Sequence, residues 1–174
     1  MANVDNPHGL RPLMRTLNGG CPVVRQYIKD SAEATAIFIH DVVQRQADGN
    51  IAAGGTPGTT LFLGVALNYG AASQQTDHLV IVSPDAIFEA QDNNDTDGFA
   101  AADMGLNCNL EFNAGNGQSY ISGHELDEST AGTNASLDVK LLDKLDVPDN
   151  EYGPNCRVQV VFNKHLFAKG VAGV

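Results

Sequence analysis

Between Gln91 and Gly98 the chain reads QDNNDTDG, three Asp and two Asn leading into a glycine. Carboxylates at alternate positions before a glycine are the raw material of a calcium loop, because a hard cation takes about six to eight oxygens and needs a sharp turn to gather them. If Gly98 is the turn glycine, Asn93, Asp95 and Asp97 fall at the first, third and fifth loop positions, and the twelfth is Met104. The bidentate carboxylate that completes such a shell is missing, and no helical periodicity flanks the loop. The stretch reads as a turn with hydrated carboxylates and no metal. A looser cation site across Asp92–Asp97 stays open, since adjacent carboxylates repel one another and a cation relieves the repulsion.

The other chemistry-bearing residues form no working set. In GHELDEST (Gly123 to Thr130) His124 precedes Glu125 as in a zinc-protease motif, but Glu128 stands where the second His belongs. GQSYI around Ser119 lacks the closing glycine of a nucleophile elbow, and no strand-to-helix transition follows. His8, His40, His78, His124 and His165 are dispersed, so each is expected at the surface or as a hydrogen-bonded core imidazole. The glycines of GNIAAGGTPGTT do not run from a strand into a helix, as a phosphate cradle requires. Cys21, Cys108 and Cys156 are far apart and are expected as buried free thiols. No catalytic group, cofactor or metal is expected, and the chain reads as a non-enzyme.

The elements that must carry these residues are strands. TLFLGVALNYG (Thr60 to Gly70) places Leu61, Leu63, Val65 and Leu67 on one face, since successive strand side chains point to opposite sides. Strict alternation puts Cys108, Leu110 and Phe112 inward and Asn107, Asn109, Glu111 and Asn113 outward. It also sets Leu137, Val139 and Leu141 against Ser136, Asp138 and Lys140, and Cys156, Val158, Val160 and Phe162 against Arg157 and Gln159. ATAIFIHDVVQ, HLVIVS and AIFEAQ add further strand-like runs. A period of 3.6 never persists. One-sided alternation between Gly, Pro, Asn and Asp turns predicts an all-β fold, a compact antiparallel β-barrel or sandwich of jelly-roll or tulip-like form.

Length supports one domain. No run approaches the ~18 apolar residues of a membrane helix, and no apolar stretch near the start resembles a signal peptide, so a soluble protein made in a cytoplasm is expected. Of the net charge of −11, residues 1–30 contribute +2 through Arg11, Arg15, Arg25 and Lys29 against Asp5 and Asp30, leaving −13 on the rest. Such a body is repelled by nucleic acid. Residues 1–30, rich in Pro and Gly, read as an extended N-terminal arm, with residues 31–174 as a single β domain.

The opening MANVDNPHGLRPLMRTLNGG resembles the N-terminus of a family of small tailed-bacteriophage virion proteins, which begin with an Asn-Pro-x-Gly-Leu-Arg-Pro run. The closing LLDKLDVPDNEYGPNCRVQVVFNKHLF (Leu141 to Phe167) is similar to that family's C-terminal Pro-Asp-Asn-Glu-x-Gly turn and the strand that follows. IFEAQDNN and SYISGHELDES sit where those proteins carry a similar strand and connection. The resemblance implies a capsid decoration, or cement, protein, made in the bacterial cytoplasm and bound on the outer surface of the phage head, where it ties neighbouring major capsid subunits together. A minor head or tail component and a calcium-dependent surface binding module are the alternatives. By the same resemblance, Asn6, Pro7, Gly9, Leu10, Arg11, Pro12 and Arg15 would belong to a capsid-binding arm, and Pro148, Asp149, Asn150, Glu151 and Gly153 to a tight structural turn. The implied partners are the major capsid protein and other copies of this chain, with a trimer favoured because capsid lattices offer three-fold positions.

Overall fold

The computed structural model describes residues 3–94 and 97–168. Within them the chain is all β apart from one 3-10 turn at Ala101–Asp103. The strands are β1 (Arg11–Thr16), β2 (Val24–Lys29), β3 (Val42–Arg45), β4 (Ile51–Ala53), β5 (Phe62–Ala66), β6 (Thr76–Ile81), β7 (Ala86–Gln91), β8 (Asn107–Glu111), β9 (Glu125–Gly132), β10 (Val139–Lys144) and β11 (Arg157–Phe162). Five of them close into a barrel in the order β2-β4-β3-β5-β6, and six form an antiparallel sheet in the order β1-β7-β11-β10-β8-β9.

The barrel and the sheet share a core. Ile37, Val43, Ile51, Leu63, Ala66 and Val80 fill the barrel, whereas Val42, Phe62, Val65 and Ile81 turn out of its wall and pack with Phe88, Leu110, Leu126, Val139, Leu141, Val158 and Val160 of the sheet. The wall formed by β3, β5 and β6 is therefore apolar on both sides, and every residue of β5 is buried. The expected single face of Leu61, Leu63, Val65 and Leu67 is corrected by a bulge. The β3–β5 register shifts between Val43 and Gln44, so Phe62 joins Val65 on the sheet side, Leu63 points into the barrel and Leu61 is exposed. Gly64 sits at this bulge because the backbones nearly touch: a Cβ there would lie 1.8 Å from the carbonyl oxygen of Ile81.

Residues 1–30, expected as an arm, are built into the body over their described part. β1 pairs with β7 at one edge of the sheet (Arg11 opposite Glu89, Pro12 opposite Phe88), and β2 is a barrel strand paired with β6 from Val24–Ile81 to Lys29–Thr76. Leu10, immediately before β1, is fully buried in the shared core. Pro12 is tolerated because β1 is an edge strand. Alternation was hidden in β1 by a register shift around Met14, whose φ is 55°, and in β2 by exposed apolar residues, Val24 and Ile28.

Two polar positions assigned to the wet face are buried. Asp138 accepts hydrogen bonds from the amides of Gly58 (2.9 Å) and Leu110 (3.1 Å), which ties a barrel loop to the sheet. Asn107 is fully buried and donates to the carbonyl of Asn134. Cys108 and Cys156 are buried free thiols as expected, but Cys21 is exposed in the turn between β1 and β2.

Candidate functional site

The outer face of the sheet around β7 carries a connected group of charged and amide side chains. In β7, Phe88 and Ala90 face the core, so Glu89 and Gln91 project to the opposite face. Register brings Arg11 of β1 and Gln159 of β11 beside Glu89, and Arg157 beside Gln91. Residues 3–8 then cross this face, and with that cover every residue of β7 is buried, Glu89 included. A carboxylate withdrawn from water must be paired. Arg11 donates to Glu89 Oε2 through Nε (3.1 Å) and Nη2, Arg157 Nη1 lies 3.4 Å from Oε1, and His8 Nε2 lies 3.5 Å from Oε1. Burial holds the His8 pKa below the usual imidazole value, against the opposing pull of the Asn6 carbonyl and Glu89.

The crossing segment is fastened by amides. Asn3 donates to the carbonyls of Glu151 and Pro154 (2.8 Å each) and accepts from the Glu151 amide (2.9 Å). Gln91 accepts from the Asn6 amide (3.0 Å) and donates to the carbonyls of Val4 (2.8 Å) and Asn155 (3.3 Å). Gly9 has a φ of 66°, and a Cβ there would lie 2.4 Å from that of Ser122, so only glycine lets the chain pass between the 122 loop and His40 on its way to Leu10. Arg15 reaches Gln159, and Pro7 is half-buried.

The Pro148–Gly153 turn forms the far wall. Pro148 and Asp149 make the turn, with Asp149 at a φ of 59°. Asn150 is buried and closes it, donating to the carbonyls of Leu145 (2.7 Å) and Arg157 (2.8 Å) and accepting from the Arg157 amide (2.8 Å). Glu151 binds Asn3 as above, and the Gly153 amide donates to the Phe99 carbonyl (2.8 Å). Between segment and turn lies a cleft of about 310 Å³ bordered by Asn3, Asn6, His8, Arg11, Gln91, Asp149, Asn155 and Arg157. Three stretches far apart in sequence, NPHGLRP, IFEAQDNN and PDNEYGPNCR, thus meet at one place. Of its residues, Glu89, Gln91, Asn155 and Arg157 were not singled out in the sequence. Arg157 sat on the outward face of an alternating strand and Glu89 within the strand-like run AIFEAQ, and their opposite charges were the available signal for pairing them.

The Asp-rich loop next to this cleft is not simply hydrated. Asp92 is fully buried, and its Oδ2 accepts from the amides of Asn155 (3.2 Å) and Asn94 (3.3 Å). Asn93 donates to Glu111, Asp97 is exposed, and Asp95 and Thr96 lie outside the described residues. Among the described residues no three His, Cys, Asp or Glu side chains are grouped to hold a metal ion.

A second cleft, of about 340 Å³, opens between barrel and sheet beside Phe38 and Phe112, with Asp41 and His124 in its wall. Ser122 is also near, but the geometry is not that of a nucleophilic triad. The Ser122 hydroxyl accepts from the His124 amide (3.1 Å), His124 Nδ1 accepts from the Val42 amide (3.4 Å), and Nε2 faces Asp41 Oδ1 at 3.4 Å. Nδ1 is thereby taken by a backbone amide and does not reach the Ser122 hydroxyl as a base. Burial pushes Asp41 up to about 6, opposed by the Ser122 hydroxyl and the Phe38 amide, and pushes His124 down to about 4.

No protein family model, curated protein or solved structure matches this chain.

Proposed function

We propose that the chain is a non-enzymatic structural protein of a tailed-bacteriophage head, which binds the outside of the capsid and cements neighbouring major capsid subunits. The observation that carries this reading is the convergence at one cleft. The N-terminal run, the β7 strand and the C-terminal turn that resemble the phage virion family are separated by up to about 150 residues in sequence, yet they are hydrogen-bonded to one another. Resemblance in three separate segments is better explained when the segments build one surface. A strongly acidic exterior also suits a protein on the outside of a particle, because like-charged surfaces stay soluble and do not adhere.

The same reading takes the capsid shell as the partner and a homotrimer at local three-fold positions as the bound form, since closed symmetry is the rule for homo-oligomers. Mixing the purified chain with undecorated, expanded capsids and sedimenting the particles tests it. Co-sedimentation that saturates at a fixed ratio to capsid subunits is expected. Absence of binding to capsids, together with binding to isolated tails, would place the chain in a tail component instead.

A further inference from the structure

We propose that the cleft above Glu89 is a carboxylate-binding site, which receives a single Asp or Glu side chain from the shell protein. The shell as the source of that side chain rests on the head-protein reading; the carboxylate chemistry does not. Glu89 is completely buried and holds two guanidiniums at once, so it acts as an internal anchor that fixes their orientation. Each guanidinium has five N–H groups. Arg11 spends Nε and Nη2 on Glu89, and Arg157 spends Nη1, so Nη1 of Arg11 and both Nε and Nη2 of Arg157 keep donors to offer. Their side chains are 49% and 31% exposed, against 0% for the carboxylate that anchors them. His8 and Asn155 complete the wall of the cleft beside the two guanidiniums.

Charge selects the guest. Glu89 and Asp149 together balance Arg11 and Arg157, so a dianionic phosphate gains little net attraction here. A monoanionic carboxylate matches the forked geometry of a guanidinium and needs less compensation. The body is acidic overall, so an acidic partner surface meets less repulsion where its carboxylate reaches these guanidiniums. Such an arrangement favours one docking register over its neighbours, because misplaced contacts are penalised as well as unrewarded.

The test uses the full chain and small probes. NMR of the arginine Nε–H groups follows titration with propionate, with uncharged propionamide, and with inorganic phosphate. The expected result is a saturating shift of the Arg11 and Arg157 signals with propionate, no saturation with propionamide, and weaker binding of phosphate. Arg157→Gln should weaken propionate binding at least tenfold, and Arg157→Lys, which keeps a charge over Glu89 but loses the fork, should fall between the two. Equal responses to propionate and propionamide, or tighter binding of phosphate, overturn the proposal. The same variants are then sedimented with undecorated capsids. Capsid affinity unchanged in Arg157→Gln overturns the docking role while the head-protein reading stands. A wild-type chain that binds propionate but no capsid overturns that reading and leaves the carboxylate site in place.

Discussion

Lys29 ends β2 with no solvent exposure, and its ammonium is surrounded by carbonyl oxygens: Ala71 at 3.0 Å, Gln74 at 3.1 Å and Glu33 at 3.2 Å. Burial lowers its pKa, while Glu33 and Asp30 act in the opposite sense. One charge thus pins the 30–33 and 71–74 loops together, and Lys29→Met leaves those carbonyls without a donor. A loss of about 3 kcal/mol, read from urea unfolding, is the expected cost. His124 and His165 are a second residue-scale device, since burial lowers both to about 4. A folded pKa below the unfolded value means that stability is fully present above pH 6.5 and is lost as pH falls towards 4. Each imidazole accounts for about 2 to 3 kcal/mol over that window. Asp41, raised to about 6, works in the opposite sense: its contribution is present below its unfolded value of 3.8 and is lost as pH rises through 6. The contribution of His165 is isolated by comparing His165→Gln with the parent. The melting-temperature gap between them should narrow from pH 7 to pH 4, and a constant gap would show that His165 does not titrate in this range.

At the scale of elements, the N-terminal segment is the informative one. Removing residues 1–20 deletes β1, extracts Leu10 from the core and uncovers Glu89 after taking away Arg11. The truncated chain should lose several kcal/mol, with an early melting transition by circular dichroism; unchanged melting would mean that β1 is dispensable to the sheet. Sequence reading delimited β7 to the residue, and in β8, β10 and β11, whose two faces differ, it placed Cys108, Leu110, Val139, Leu141, Val158 and Val160 in the core as their alternation requires. It failed where a strand has no dry side and wet side. β5 is apolar on both faces because it separates two cores, and β1 is a short, bulged edge strand. Buried polar residues were illegible for a related reason. Asp138 and Glu89 look like surface residues until tertiary structure supplies the amides and guanidiniums that satisfy them. Of the candidate site, the sequence offered the N-terminal run and the turn, but their adjacency depends on the register of β1, β7 and β11.

For the molecule as a whole, the acidic surface raises the question of whether cations stabilise it. Among the described residues, Asp92 Oδ2 already accepts the amides of Asn94 and Asn155, which fastens the start of the loop from within the chain. Melting temperature should therefore respond equally to EDTA and to millimolar calcium; a rise confined to calcium would establish a site, since a ligand that binds the native state must stabilise it. The edge position of β1 has a temporal side as well. Arg11 is 78 residues from its partner Glu89, and the barrel strands, β2 to β6, all lie between β1 and β7 in the chain. During synthesis the barrel can close while β1 still waits for a neighbour, and the sheet cannot begin to assemble on it until β7 has been made. Pairing at that separation is entropically slow. β1 is thus made before the strand it pairs with, and for that interval its edge stays unpaired.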